Sequence, residues 1–420
     1  MRKAAVALGM VLGSLFLLLG PGATSAWAEG EAVQGILQFE GEPVAGVNIN
    51  VSTTGDVPIG TATSDQDGRW SLDVPGPGEY KVSIDEGSLP EGIGLRFPDR
   101  QTLTIQVFEG QPKGVLFALG EPLEEPSVFA RAPQLAFEGI NFGLIIAMAA
   151  LGLSLIFGTT GLVNFAHGEL VTLGALLAWF GDVVLGWPLL FAGAIAVFLS
   201  GLAGWLQDRF FWGKLRQRGT GLIAMLVISI GLSVLIRHIY LYFFGGQPRP
   251  YADFQGQAGM ALGPISATPK SIFSIVLATI VIVAVGIALL KTRFGKATRA
   301  VADNPALAAS SGINVDGVIR IVWTVGTALA ALAGMLLGVS QQVHWQSGFQ
   351  ILLLIFAGVI LGGLGTAFGA LVGSLVVGLF IQLSTLWVPP ELKNVGALAI
   401  LIIILLFRPQ GILGRRERVG

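Results

Sequence analysis

The 420-residue chain has no cysteine, three histidines, four tyrosines and only 12% charged residues. Each scarcity removes a class of function. Without cysteine there is no disulfide, no thiolate metal site and no cysteine nucleophile. The three histidines are scattered at 167, 238 and 344 with no H-E-x-x-H spacing, which argues against a zinc site. The "FGKAT" at 294–298 misses the GxxxxGK spacing of a P-loop because residue 290 is Leu, so ATP binding by this chain is not expected. No nucleophile elbow occurs either. Neither a catalytic residue, a metal nor a cofactor is therefore expected. Soluble domains carry about 25% charged residues, roughly twice the share found here.

What the chain has in quantity is apolar sequence: 53% hydrophobic residues and a mean hydropathy of +0.74. Runs of some twenty apolar residues recur from about Phe137 to Phe407, each long enough to cross a bilayer as a helix. The charges that remain are unevenly placed. Residues 29–126 hold 17 acidic and 5 basic side chains, whereas residues 127–420 hold 9 acidic and 18 basic. Such a split points to two parts in different surroundings, and the acidic part is a poor partner for nucleic acid or anionic lipid.

The division of the chain follows from this pattern. Arg2 and Lys3 precede an apolar stretch, Ala4–Leu19, and Ala26-Trp27-Ala28 has the small-x-small form of a cleavage site. Residues 1–28 read as a secretory signal peptide, with an uncleaved anchor as the alternative. Either reading places residue 29 onward outside the cytoplasm. In 29–119 the period changes to two: "GVNINVST" and "GEYKVSID" alternate apolar with polar, and "TTGD", "DQDG" and "PGPG" are turn signals. The expectation is a small all-β sandwich. This segment resembles the carboxypeptidase-regulatory or prealbumin-like family over about residues 34–85, a likeness that implies a fold and little about function. The Asp65-Gln66-Asp67-Gly68 stretch reads as a hairpin turn, since it lacks the later ligands of a calcium loop. Residues 120–136, rich in Pro and Glu at their start, read as a linker.

The fold class expected for 137–420 is a multi-span α-helical membrane domain of about nine transmembrane helices, near 137–157, 168–185, 187–207, 221–243, 271–290, 315–338, 350–364, 367–387 and 392–407. Alternating these spans from an outside N-terminus puts three basic stretches on the inner side. They carry Arg209, Lys214, Arg216 and Arg218; Lys291, Arg293, Lys296 and Arg299; and Arg408, Arg415, Arg416 and Arg418. That is the positive-inside pattern, with a cytoplasmic C-terminus.

Three polar residues interrupt the apolar sequence in "GLVNFAHGELVTLGA": Asn164, His167 and Glu169. One reading makes them a helix start, with Asn164 as the cap and Glu169 in the first turn. The other is a broken helix whose N-terminus faces a pathway, since ionisable groups at membrane depth are functional candidates. A second Gly-interrupted segment, "GVILGGLGTAFGALVG" (Gly358–Gly373), favours the latter, because paired interruptions mark transporter sites. Gly362, Gly363 and Gly365 are thus pathway candidates, although Gly365, Gly369 and Gly373 also fit close helix packing. Arg237 is expected to snorkel outward, with a pairing to Asp182 as the lesser alternative. Between two spans, Asn304-Pro305 followed by "ALAASSG" reads as a short helix, with Pro305 at its first position. Its small residues suit docking against a partner.

Taken together, "GLVNFAHGELVTLGA", "RFGKATRAVADNPALAASSGIN", "VILGGLGTAFGALVGSLVVGL" and "LLFRPQGILG", in this order over roughly 137–415, resemble the permease subunit of branched-chain amino acid ABC importers. The resemblance implies a multi-pass protein of a prokaryotic plasma membrane. Its implied partners are two separate ATPase subunits, a second permease subunit, an extracytoplasmic substrate-binding protein and membrane lipid. It makes Arg299–Asn314, with Arg299, Asp303, Asn304, Pro305, Ala308, Ala309 and Gly312, the loop that couples to the ATPase. It makes Asn164–Glu169 part of the translocation route. The exported sandwich departs from the usual permease, which begins close to its first span. Related permeases move urea or short amides, and that substrate is the alternative. A membrane-anchored envelope sensor or adhesion protein built around the sandwich is a third reading, for which so many spans would be excessive.

Overall fold

The computed structural model describes residues 31–389 apart from 40, 91, 98–100, 108–112, 121–127, 254–256 and 258, together with 392, 395, 398, 399, 402, 411 and 412. The signal peptide expected at 1–28 and the basic residues after Phe407 lie outside the described residues. The chain divides into two compact units, Met1–Pro126 and Ser127–Gly420.

Alternation shapes the first unit. In the strand Asn48–Thr53, Ile49 and Val51 are buried, while Asn48 and Asn50 face outward and accept hydrogen bonds from Thr63 and Thr61 at 2.9 and 2.7 Å. Seven strands matter: β1 (Ala32–Ile36), β2 (Asn48–Thr53), β3 (Pro58–Thr63), β4 (Arg69–Asp73), β5 (Gly78–Ile84), β6 (Thr102–Val107) and β7 (Lys113–Gly114). They form a four-stranded sheet in the order β3-β2-β5-β6 and a three-stranded sheet in the order β7-β1-β4. In the larger sheet Ile49 stands opposite Ile84 and Val51 opposite Val82. These side chains share one apolar cluster with Val33 and Trp70 of the smaller sheet, so the two sheets close on a common core as a sandwich does. The Asp65 carboxylate accepts from the amides of Asp67 and Arg69 at 2.9 and 2.8 Å, and Gly68 takes a φ of +71°. The "DQDG" stretch is thus a turn closed on itself, as its residues predict.

The second unit is helical: α1 (Val128–Thr160), α2 (His167–Trp179), α3 (Leu189–Gln207), α4 (Gly213–Gln217), α5 (Leu222–Phe244), α6 (Pro269–Lys291), α7 (Arg293–Asp303), α8 (Pro305–Ser310), α9 (Val315–Gln341), α10 (Ser347–Gly362) and α11 (Ala367–Ser384). Among the described residues, six helices are long and apolar enough to cross a membrane: α1, α3 with its continuation to Gln217, α5, α6, α9 and α11. Eight of the nine expected spans coincide with helices. Two of these are not among the six: α2, whose helical backbone continues through Val184, and α10, which at 16 residues falls short of the roughly 20 a span needs. The ninth, 392–407, lies largely outside the described residues. Helix α1 starts at Val128, inside the stretch read as a linker. Pro133 falls in the second turn of this helix, where it removes only the one bond its missing amide would have given the Phe129 carbonyl, and the helix continues through it.

Helix α1 is the axis of the unit. Its residues from Leu144 to Ala150 are all buried, the mark of a helix surrounded by others. Small residues let its neighbours in. A Cβ on Gly152 would meet the carbonyl of Gly326 on α9, and a Cβ on Gly334 would meet the carbonyl of Val171 on α2. Such backbone approaches replace the hydrophobic drive that is missing between helices in lipid. By contrast, α5 and α6 leave Val227, Leu235, Ile280 and Ile287 exposed.

A Gly334→Ala substitution is expected to cost about 1–3 kcal/mol through overpacking against backbone that cannot yield. Gly231→Ala on α5, where the added Cβ meets nothing, is expected to be neutral or slightly stabilising. Thermal unfolding of the two variants in detergent tests the difference, and equal midpoints would refute the packing assignment.

Candidate functional site

The polar block at 164–169 sits where the helical backbone is broken. Helix α1 ends at Thr160, Gly161 turns with a φ of +68°, and residues 161–164 are not helical before α2 begins at His167. The His167 ring lies 2.9 Å from the carbonyl of Ala149 on α1. Ala149 is eleven residues before the end of α1, about 16 Å along its axis at 1.5 Å per residue. The chain thus folds back into the helical unit and starts α2 well inside it. Because a carbonyl only accepts, Nε2 of His167 carries the proton, and Nδ1 has no partner.

Asn164 is not the helix cap; Ala166 stands at that position. Instead the Asn164 side-chain oxygen accepts from the Ala166 amide at 3.0 Å, and its backbone carbonyl accepts from the His167 amide at 3.2 Å. The Phe165 amide donates to Ser229 Oγ of α5 at 3.0 Å. The irregular backbone is therefore bonded by its own asparagine and by a serine from a neighbouring helix.

Glu169, fully buried, is held from α5 as well. Its Oε1 accepts from Ser233 Oγ at 2.9 Å and from Arg237 Nε at 3.2 Å, while Tyr240 donates to its backbone carbonyl at 3.0 Å. Arg237 also donates to Ser233 at 2.9 Å, and its guanidinium lies 3.5 Å from the centre of the Phe349 ring. The expectation that Arg237 snorkels outward is corrected: burial of Glu169 makes the inward pairing the favourable one. Nor does Arg237 pair with Asp182, whose carboxylate accepts from the Ala252 amide at 2.6 Å. Ser229, Ser233 and Tyr240, which hold this segment together with Arg237, were not singled out in the sequence. Their signal was available, because spacings of four, four and three put all four on one stripe of an otherwise apolar helix.

A second broken segment mirrors the first. Helix α9 ends at Gln341, and α10 begins at Ser347 after residues 342–346. Helices α9 and α2 run antiparallel, Gly334 on Val171 and Ala331 on Gly174, so Gly168 stands level with about residue 337, and α10, whose Gly348 touches Gly168, starts about 6 Å back along α9. The Gly348 amide donates to Thr172 Oγ1 at 3.0 Å. The starts of two short helices therefore meet at a pair of glycines whose added Cβ atoms would strike each other's carbonyls.

The partner of the 164–169 block is thus the 342–348 stretch. Gly362, Gly363 and Gly365 occupy the corner between α10 and α11, where Gly362 abuts Gly369 and Gly365 abuts Gly158. The structure brings them together with α1 and α11, not with Asn164, His167 or Glu169.

The third group forms a separate structure. Asn304 caps α8, its side chain accepting from the Leu307 amide at 3.0 Å, and Pro305 stands at the first turn as its sequence predicts. Arg299 donates to the Leu289 carbonyl at 2.7 Å, Asp303 ends α7 exposed, and Gly312 turns the chain with a φ of +83°. Ala306, Leu307 and Ala309 are exposed, whereas Ala308 is buried in one apolar cluster with Trp212, Val318 and Trp323. Among the described residues no group of three or more His, Asp or Glu could hold a metal ion.

Removing Arg237 while Glu169 stays buried should be costly. Arg237→Met is expected to lose about 3–5 kcal/mol, and Arg237→Met with Glu169→Met is expected to recover part of that loss. Unfolding of the two variants in detergent measures the coupling, and strictly additive effects would show that the pair does not act as a unit.

The family of the branched-chain amino acid transport system permease component matches residues 135–405. The chain is 32% identical over 299 residues to the high-affinity branched-chain amino acid transport system permease protein LivH of Escherichia coli K12, covering 68% of this chain and 96% of that protein. It is 29% identical over 307 residues to BraD of Pseudomonas aeruginosa PAO1, a permease of the same description, covering 70% and 98%. The ribose import permease RbsC of Bacillus subtilis is 26% identical over 251 residues, covering 57% and 76%. The match spans nearly the whole helical unit, including both broken segments and the α7–α8 stretch, and the chain belongs to the family of branched-chain amino acid transport permease components.

Proposed function

We propose that this chain is the membrane subunit of an ABC importer, and that it carries branched-chain amino acids into the cell by alternating access driven by separate ATPase subunits. One observation beyond family membership carries the reading: non-helical backbone at 161–166 lies deep among the helices, opposite a second break at 342–346. Irregular backbone at membrane depth persists only where protein buries it or where it lines a cavity. Paired broken helices are where transporters hold their solutes. The unpartnered Nδ1 of His167, Oε2 of Glu169 and Nδ2 of Asn164 fit a lining that a passing solute or water would satisfy.

The drive would enter through α8. Its exposed Ala306, Leu307 and Ala309 offer a small apolar face to an ATPase. Its buried Ala308 joins that face to Trp323 and Val318 of α9. Helix α9 in turn packs on α2 through Gly334 and leads into the second break. A push on α8 would thus reach both breaks through one rigid helix. The ATPase must differ in its contacts between two states for this to move anything. In this reading the α8 side is cytoplasmic, a second permease subunit completes the core, and a binding protein delivers solute to the other side. The β sandwich at 29–119, behind a signal peptide at 1–28, would stand outside the cell.

Uptake of labelled leucine in the source cells, with and without this gene, tests the substrate. Loss of leucine uptake alone is expected. Loss of urea uptake alone would replace the substrate and keep the mechanism. For coupling, Ala306→Glu and Ala309→Glu are expected to cut ATPase co-purification and uptake at least about tenfold, equivalent to roughly 1.4 kcal/mol of docking, in a protein that still folds. Ala308→Glu is expected to fail at folding instead, because it buries a charge. Normal uptake in the two exposed variants would overturn the docking assignment.

A further inference from the structure

Beside the second break lies a cleft of about 210 Å³, lined by Gln341, Gln342, His344, Ser347 and Gln350 over the buried side chain of Leu337. His344 and Ser347 are committed to the chain. The His344 ring donates from Nε2 to the Gly246 carbonyl at 2.9 Å and accepts at Nδ1 from the Gln346 amide at 3.3 Å. Ser347 Oγ accepts from the His344 amide at 2.9 Å. The three glutamine side chains are not committed: among the described residues none of their amides bonds to the protein. Gln342 is moreover held at a φ of +68°, one of two described non-glycine residues in the left-handed region. Such a conformation costs on the order of 1 kcal/mol and persists only where the surroundings enforce it.

We infer that this cleft is a receiving site for a small solute without net charge and rich in both donors and acceptors, the zwitterionic amino acid of the proposed function. The inference rests on that reading and adds to it where the solute first binds the permease. No Asp, Glu, Lys or Arg lines the cleft, so a ligand with a net charge would give up its hydration without meeting a counter-charge. A wholly apolar ligand would strip water from three amides and return nothing. A carboxamide carries two N–H donors and one acceptor oxygen, so three of them serve a carboxylate at one end of a ligand and an ammonium at the other. Pro248, exposed at the cleft, supplies an apolar surface for the aliphatic side chain above the buried Leu337. The cleft adjoins the first break: Phe349, next to Gln350, carries the Arg237 guanidinium, and Gly348, next to Ser347, abuts Gly168 at the start of α2.

The absence of cysteine makes the test clean. Gln341→Cys and Gln350→Cys would each give the chain a single thiol, as would Glu79→Cys on the exposed face of the sandwich. The full transporter, reconstituted with its partners, is treated with a water-soluble thiol reagent with and without leucine. At about ten times its half-saturating concentration, leucine should slow modification at 341 and 350 about tenfold, since only unoccupied sites react, and should leave position 79 unaffected. Glutamate and lysine, which carry net charge, should protect neither position. Unchanged rates at both positions in a transporter that imports leucine would overturn the receiving site and leave the proposed function standing. A transporter whose unsubstituted form imports no leucine would overturn the proposed function, and with it the ligand assigned here.

Discussion

Hydrocarbon offers no hydrogen bonds, so any backbone that leaves the helix within a membrane must be bonded by the protein itself. Much of the helical unit can be read from this one constraint. The break between α1 and α2 exists because Asn164 closes a turn on the Ala166 amide and Ser229 receives the Phe165 amide. The break before α10 exists because His344 and Ser347 bond each other's backbone and Thr172 receives the Gly348 amide. Polar side chains that look costly in a lipid-facing sequence are thus the means by which irregular backbone survives there.

Close packing supplies the second condition. The two helix starts can meet only because Gly168 and Gly348 carry no side chains, and α9 can lie against α2 only because residue 334 is glycine. These approaches leave α9 touching α2 near one end and the α8 cluster near the other. A helix so packed moves as a body or not at all, since close-packed interiors transmit displacement with little compression.

Much of this was legible in the sequence. Apolar runs located eight stretches that are helical, alternation located the sandwich strands, and Asn304-Pro305 marked the start of α8. What was not legible was depth. Hydropathy counts apolar residues and does not report where along its neighbours a helix begins, so the depth at which α2 and α10 start was not foreseen. The glycines at 362–365 lie at a different corner from Asn164–Glu169, since glycine serves packing and broken backbone alike. The second break, "QVHWQSG", carries no glycine until Gly348 and reads as an ordinary loop. Arg237 was misjudged because its partner lies 68 residues away, a separation that local pattern does not reach. Ala308 was grouped with its exposed neighbours because only the helical turn reveals which alanine faces in.

Helix α5 has one more property. Its outward faces are bare, and its inward stripe is Ser229, Ser233, Arg237 and Tyr240, so polar bonds do much of the work of fastening it. Such bonds are firm where the surroundings are dry and weak where water competes for the same donors and acceptors. The grip on α5 would therefore depend on wetness: water reaching Glu169 and its partners would loosen this helix, and its exclusion would tighten it.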